Sequence, residues 1–303
     1  MNSPSRLPVG ALLAVVAQFG FASKAIFIKL AYAAAPALDA VTLLALRMLL
    51  SLPFFLLLAG WARRRRDGKA PAPLACRDWG LVVFLAFIGY YLSSFLDFWG
   101  LQHVSAALER LILFTNPTWV LLLSALFLGV AITRRAMAAL ALSYAGLLLA
   151  YGHDLRLAED PTALVKGTLL VLGAALCYAV YLVVGSGITR RIGSARFTAY
   201  MMLVASAFVL AQFVAVKPWS ALILPSAVYL HAVGLAVVSS VLPVWAMAEA
   251  LRRLGRGETA MIGTIGPVLT IGLGAVFLGE AVSLLQLAGA VLVLAGVGMV
   301  SLR

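Results

Sequence analysis

The sequence predicts an all-α polytopic membrane protein, with ten transmembrane helices forming two inverted five-helix repeats around a central cavity. Three observations lead there. The 303 residues are 64% hydrophobic and 11% charged, with a mean hydropathy of +1.06, whereas a soluble domain carries about 25% charged residues. Apolar runs long enough to cross a bilayer, roughly 20 residues each, follow one another almost without pause. The chain also repeats itself: PTWVLLLSALFLG (117–129) returns as PVLTIGLGAVFLG (267–279).

The apolar runs lie at about 9–31, 37–60, 79–100, 105–128, 135–151, 167–188, 196–216, 227–250, 259–279 and 284–301. Ten such segments cannot all be core helices of one compact soluble domain. Only Arg6 precedes the first run, and no small-residue cleavage site with a polar stretch behind it follows. That run is expected to stay as a membrane helix rather than leave as a signal peptide. Cys76 and Cys177 are the only cysteines, too few and too far apart for a disulfide framework or a metal cluster. No metal and no cofactor is expected.

The net charge of +12 reads first as topology. Arg63, Arg64, Arg65, Arg66, Lys69 and Arg77 fill the loop after the second run. Arg134 and Arg135 follow the fourth, Arg190, Arg191 and Arg196 the sixth, and Arg252, Arg253 and Arg256 the eighth. Odd-numbered loops hold only Arg156, Lys166 and Lys217, beside Asp154, Glu159, Asp160 and Glu280. The positive-inside rule then expects both termini and all even loops in the cytoplasm. A nucleic-acid reading of RRRR yields to this solvated topology signal, so the bilayer is the expected partner and no nucleic acid is.

The internal repeat extends beyond the quoted stretches. At the same offset Leu101 matches Leu251, Ala125 matches Ala275 and Gly146 matches Gly296. The expected units are residues 1–151, an external linker 152–166, and residues 167–303. Each half is five helices, and an odd number of crossings turns the second copy upside down. The loop at 101–105 lacks Lys and Arg, while its counterpart at 251–256 carries three arginines, as inversion requires. Inverted repeats of this kind are a transporter's architecture, with a site near the midplane between the halves. Both halves are covalently joined, so a monomer is expected to suffice. Pro117 and Pro267 interrupt the helical ladder at equivalent points and are hinge candidates, a static packing kink being the other reading.

The stretch GLQHVSAALERLILFTNPTWVLLLSALFLG resembles the fourth-helix signature of EamA-type transporters in the drug/metabolite transporter superfamily. The second-half stretch GRGETAMIGTIGPVLTIGLGAVFLGEAVSLLQLAGAVLVLAGV resembles it more strongly, and DAVTLLALRMLL, with Arg47, looks like the family's second helix. The family's helix closes with Leu-Gly-Glu; here the second copy keeps Glu280 and the first has Val130. The likeness covers essentially the whole chain. It implies a ten-helix exporter of small metabolites in a bacterial cytoplasmic (inner) membrane, with a fold similar to the YddG-type amino-acid exporters.

Ionisable residues inside a membrane are costly and usually face a cavity or a partner. At about 1.5 Å of rise per residue, Arg47 falls near the middle of its helix and Lys24 somewhat outward of the midplane. Asp97, Glu109 and Arg110 share a level nearer the outer surface. Glu109 and Arg110 are adjacent on a helix and point about 100° apart, so they cannot satisfy each other. The expected pairs are Asp97 with Arg110 and Lys24 with Glu109. Pairing as scaffold is one reading of this set. The other is a zwitterionic cargo, with an arginine fork on its carboxylate and an acid on its amine.

Tyr90, Ser94 and Asp97 share one face of the third helix and are candidate wall residues, with Trp119, Tyr178, Tyr181 and Trp245 at other depths. Packing or an interfacial belt is the competing account for each aromatic, and Trp99 reads as belt. The glycines of GTIGPVLTIGLG read as close-packing surface. His103 and His153 are expected at the external surface and His231 near a helix end. Glu249 reads as an ion pair with Arg252 and Arg253, or as part of an inner gate.

An intramembrane enzyme would need a nucleophile–base pair, paired aspartates or a His-Glu-x-x-His motif, and a pore would be expected to show a polar ring or carbonyl filter. The sequence shows neither clearly. A secondary transporter exporting amino-acid-like metabolites by alternating access is the leading reading. Purines, lipophilic cations and other metabolites stay open as cargo, and a passive pore as mechanism.

Overall fold

The computed structural model describes residues 6–64 and 75–301, and among these the chain is helical without strands. Ten helical segments follow in order: α1 (Arg6–Ala34), α2 (Ala40–Arg64), α3 (Cys76–Gly100), α4 (Ala106–Leu128) and α5 (Arg134–Leu157). Then come α6 (Pro161–Ile192), α7 (Ser194–Val216), α8 (Ser226–Leu254), α9 (Arg256–Gly263, Gly266–Leu273 and the turn Gly274–Leu278) and α10 (Leu284–Ser301). Among the described residues nine helices are long and apolar enough to cross a bilayer, and Leu284–Met299 is a shorter apolar helix. Arg65, Arg66 and Lys69 of the basic loop, and Arg303, lie outside the described residues.

The packing has the inverted symmetry. α1 lies on α8 and α9, as its counterpart α6 lies on α3 and α4. α2 packs on its own counterpart α7, and α5 on α10. A Cβ on Gly146 would strike the Gly289 carbonyl, and one on Gly289 would come within 2.5 Å of the Gly146 carbonyl. These glycines let two backbones close together, the use expected of small residues between membrane helices.

Backbone details repeat at the sequence offset too. A π-helical turn interrupts α3 at Phe87–Leu92 and α8 at Val237–Val241. α4 ends at Gly129 and α9 at Gly279, both left-handed with φ of 67° and 66°, a conformation that favours glycine. α4 breaks at Thr115, whose hydroxyl donates to the Ile112 carbonyl at 2.6 Å, and α9 breaks at Thr264–Ile265. Pro117 and Pro267 each stand two residues past the break. Each falls in the first turn of the helix that follows, where a missing N–H costs nothing. The Asn116 amide donates to the Leu113 carbonyl at 2.9 Å, a carbonyl Pro117 cannot reach as donor.

The 152–166 stretch, expected as a linker, is mostly helix. α5 continues to Leu157 and α6 starts at Pro161. Asp160 caps α6 by accepting from the Thr162 and Ala163 amides at 2.8 and 3.1 Å, with proline at the first helical position, a start signal stronger than local polarity. In consequence His153 is a buried helical residue rather than a surface one, its Nε2 3.2 Å from the Ala281 carbonyl oxygen.

Candidate functional site

Three helices of the first half bring charge to one point. Lys24 on α1 places its ammonium 2.6 Å from Asp97 Oδ2 on α3 and 2.8 Å from Glu109 Oε1 on α4. Both acids are buried, at 4% and 1% exposure. The expected Lys24–Glu109 pair is present, but the expected Asp97–Arg110 pair is not, because Lys24 takes both carboxylates. Arg110, a hundred degrees further round α4, instead lies over the Phe114 ring at 5.3 Å. Among the described residues no carboxylate comes within ion-pair distance of it, and its Nε is buried without a hydrogen-bond partner. Its guanidinium also abuts α9, where a Cβ on Gly266 would sit 2.8 Å from an Arg110 terminal nitrogen.

Arg47 on α2 is held differently. Its Nε donates to Ser240 Oγ at 3.1 Å, and its guanidinium lies 5.5 Å from the Phe98 ring centroid. Ser240 sits in the π turn of α8 and donates in turn to the Leu235 carbonyl at 2.8 Å. The π turn thus fixes a hydroxyl from the second half against an arginine from the first. Arg47 has no carboxylate partner among the described residues either.

Both arginines line one cavity of about 410 Å³, within the range of roughly 300–1,000 Å³ usual for small-molecule sites. Lys24, Tyr90, Ser94, Asp97, Pro117 and Tyr178 share its wall. Tyr90 stands in the π turn of α3 and meets Tyr181 edge-on at 5.1 Å and Tyr178 at 6.5 Å. Two acceptors on residues that line the cavity carry no hydrogen bond: Asp97 Oδ1 and Asn116 Oδ1, both buried.

Other sequence candidates fall away from the cavity. Glu109 stands behind Lys24, and Tyr181 backs Tyr90 while stacking on Phe197 at 6.0 Å. Trp119 packs against Tyr144 at 6.3 Å in the α4–α5 layer. Trp245 is 60% exposed on the outside of α8, as suits a lipid-facing aromatic, and is not in the wall of this cavity. Trp99 lies under the Lys166 ammonium at 4.8 Å. Glu249 accepts from Arg252 and Arg253 at 2.6–2.8 Å, the interfacial cluster its sequence neighbours suggest. Ser240, Asn116, Phe98 and Phe114 were not singled out by sequence; Asn116 carried one signal, as the first residue of an Asn-Pro pair in an apolar run.

The chemistry does not share the fold's symmetry. At the repeat offset Asp97 faces Met247, Glu109 faces Thr259 and Arg110 faces Ala260. α6 carries no charged residue between Lys166 and Arg190, and α7 none between Arg196 and Lys217. One half supplies the charges, and the other supplies Ser240, Tyr178 and Gly266.

Comparison with known proteins agrees with this architecture. The chain matches the EamA-like transporter family twice, over residues 8–152 and 165–302. It is 36% identical over 292 residues to the uncharacterized transporter YcbK of Bacillus subtilis (strain 168), covering 92% of this chain and 88% of that one. A second B. subtilis protein, the uncharacterized transporter YyaM, is 24% identical over 216 residues, 71% of this chain and 70% of its own. A solved crystal structure at 20% identity superposes with a TM-score of 0.62 over 97% of both chains, a likeness of fold. The chain is a multi-pass membrane protein and belongs to the EamA-like transporter family.

Proposed function

We propose that the chain is a monomeric secondary transporter that exports small carboxylate-bearing metabolites, amino acids foremost, by alternating access across a bacterial cytoplasmic membrane. The observation that carries this reading is that Arg47 and Arg110 face one cavity without a carboxylate of their own. A guanidinium taken out of water without an anion is costly, and a cargo carboxylate supplies the planar two-oxygen partner it fits. Asp97 Oδ1 and Asn116 Oδ1 are the acceptors for a cargo amine. A purely cationic cargo is disfavoured, since Lys24 already engages both buried acids.

Uptake into liposomes holding only this protein tests the reading, with amino acids, the matching amino amides, simple monocarboxylates, purines and lipophilic cations as the panel. Amino acids should be carried and their amides should neither be carried nor compete. Transport of lipophilic cations with no competition from any carboxylate would reject it.

The arginines bear on orientation: Arg134, Arg135, Arg191, Arg252 and Arg253 lie on the side where α1 begins and α10 ends, opposite the 158–160 turn. We place the arginine-rich face in the cytoplasm. With Cys76 and Cys177 replaced, Glu159→Cys should react with an impermeant maleimide in intact spheroplasts. Reaction only after lysis would reverse the assignment.

A further inference from the structure

α4 and α9 meet on one side of the membrane. Ala106–Phe114 of α4 packs on Gly266–Leu273 of α9, both toward the arginine-poor face. On the arginine-rich side they part: Asn116–Leu128 turns to α6 and α10, and Arg256–Gly263 to α1 and α8.

The join on the arginine-poor face has a chemical fastening. Glu280 follows the left-handed Gly279, and its own N–H closes on the Gly274 carbonyl at 3.2 Å. Its Oε1 then crosses to the other half and accepts from the Ala106 amide, the first of α4, at 2.9 Å. Carboxylates are favoured at helix N-termini, where amides are unsatisfied. Lys29 on α1 stands 3.6 Å from the same oxygen and donates to the Val104 carbonyl at 2.7 Å. The second oxygen, Oε2, is buried with no partner.

The inverted copy ends its helix on the same left-handed glycine but carries no carboxylate there. Val130 follows the left-handed Gly129, and its N–H closes on the Ser124 carbonyl at 3.4 Å across the same six-residue span. There the side chain is a hydrocarbon, 46% exposed. At the repeat offset α6 has Ala179 where α1 has Lys29, and its cation nearer the mirrored end, Arg191, is taken by Asp78.

We propose that Glu280 is a one-sided latch that holds the arginine-poor end of the transport path shut and sets the resting conformation. Two inverted halves alone give two mirrored states of similar energy. Opening the arginine-poor end must separate Ala106 from Glu280, whereas Val130 makes no such bond at the other end, where an ion pair between the halves, Arg191 with Asp78, joins α6 to α3 with a half-exposed guanidinium. Loss of one charge-assisted hydrogen bond shifts a two-state ratio about ten- to a hundredfold. The proposal rests on alternating access but not on the cargo, so its test uses none and its failure leaves the carboxylate reading untouched.

The test takes the full chain in proteoliposomes of defined orientation, with Cys76→Ser, Cys177→Ala and a reporter, Ser94→Cys, in the cavity wall. An impermeant maleimide is added from either side and the ratio of labelling rates is read, with thermal unfolding measured in parallel. The parent should label faster from the arginine-rich side. Glu280→Val should raise labelling from the arginine-poor side about ten- to a hundredfold. Val130→Glu should slow labelling from the arginine-rich side, and the two together should reverse the preference. An unmoved ratio in folded Glu280→Val overturns the latch. If that variant does not fold, an unmoved ratio in Glu280→Gln, which keeps the side chain's size and removes its charge, overturns it instead.

Discussion

Replacing Lys24 by Met is expected to remove about 3–5 kcal/mol of stability, the usual cost of taking one partner from a buried charge cluster. The ammonium lies 2.6 Å from Asp97 and 2.8 Å from Glu109, so its loss leaves two carboxylates facing each other between α1, α3 and α4. Asp97 Oδ1 and both Glu109 oxygens make no other hydrogen bond. The consequence should appear as low yield and a lowered thermal midpoint in detergent. A repaired variant distinguishes charge from shape. Lys24→Met with Asp97→Asn and Glu109→Gln removes all three charges at nearly constant volume, and neutral replacements of buried ion clusters are often close to neutral in stability. The triple variant should recover most of the lost midpoint. A Lys24→Met protein as stable as its parent would show that the cluster does not hold these helices together.

How far such a cluster can be read from sequence depends on which coordinate matters. Depth was legible: counting 1.5 Å per residue brought Asp97, Glu109 and Arg110 to one level, with Lys24 outward of the midplane and expected to pair with Glu109. Azimuth was not, because it depends on how each helix is rotated against its neighbours, and so Asp97 was given to Arg110 when Lys24 takes it. The inverted repeat was legible because charge bias and a 150-residue register are long-range signals that no single contact can erase. The π turns at Phe87–Leu92 and Val237–Val241 were not, since FIGYYL and VVSSV have no residue in common and each turn is settled by packing. They matter for the site, because Tyr90 and Ser240 stand in them. Trp245 shows the opposite failure. An aromatic at the right depth was a candidate until the face it occupies was known, and that face points outward.

Replacing Arg47 or Arg110 by Ala is expected to weaken the apparent affinity for a carboxylate-bearing cargo about ten- to a hundredfold, the worth of a charge-assisted hydrogen bond of roughly 1.5–3 kcal/mol. Lysine at either position should recover part of this, since it keeps the charge and loses the two-point fork. Stability should behave otherwise than at Lys24. Neither arginine pairs with an acid among the described residues, so truncation leaves no carboxylate stranded, and it removes a buried cation besides. Arg47→Ala frees only the Ser240 hydroxyl, which retains its bond to the Leu235 carbonyl. A neighbouring change provides a second approach without touching either arginine. A Cβ on Gly266 would sit 2.8 Å from an Arg110 terminal nitrogen, so Gly266→Ala should displace that fork and weaken the cargo in the same direction as Arg110→Lys. Uptake against concentration, measured beside the thermal midpoint, separates the cases. Normal affinity with a fallen midpoint in both Ala variants would make these arginines scaffold, and the carboxylate reading of the cavity would go with them.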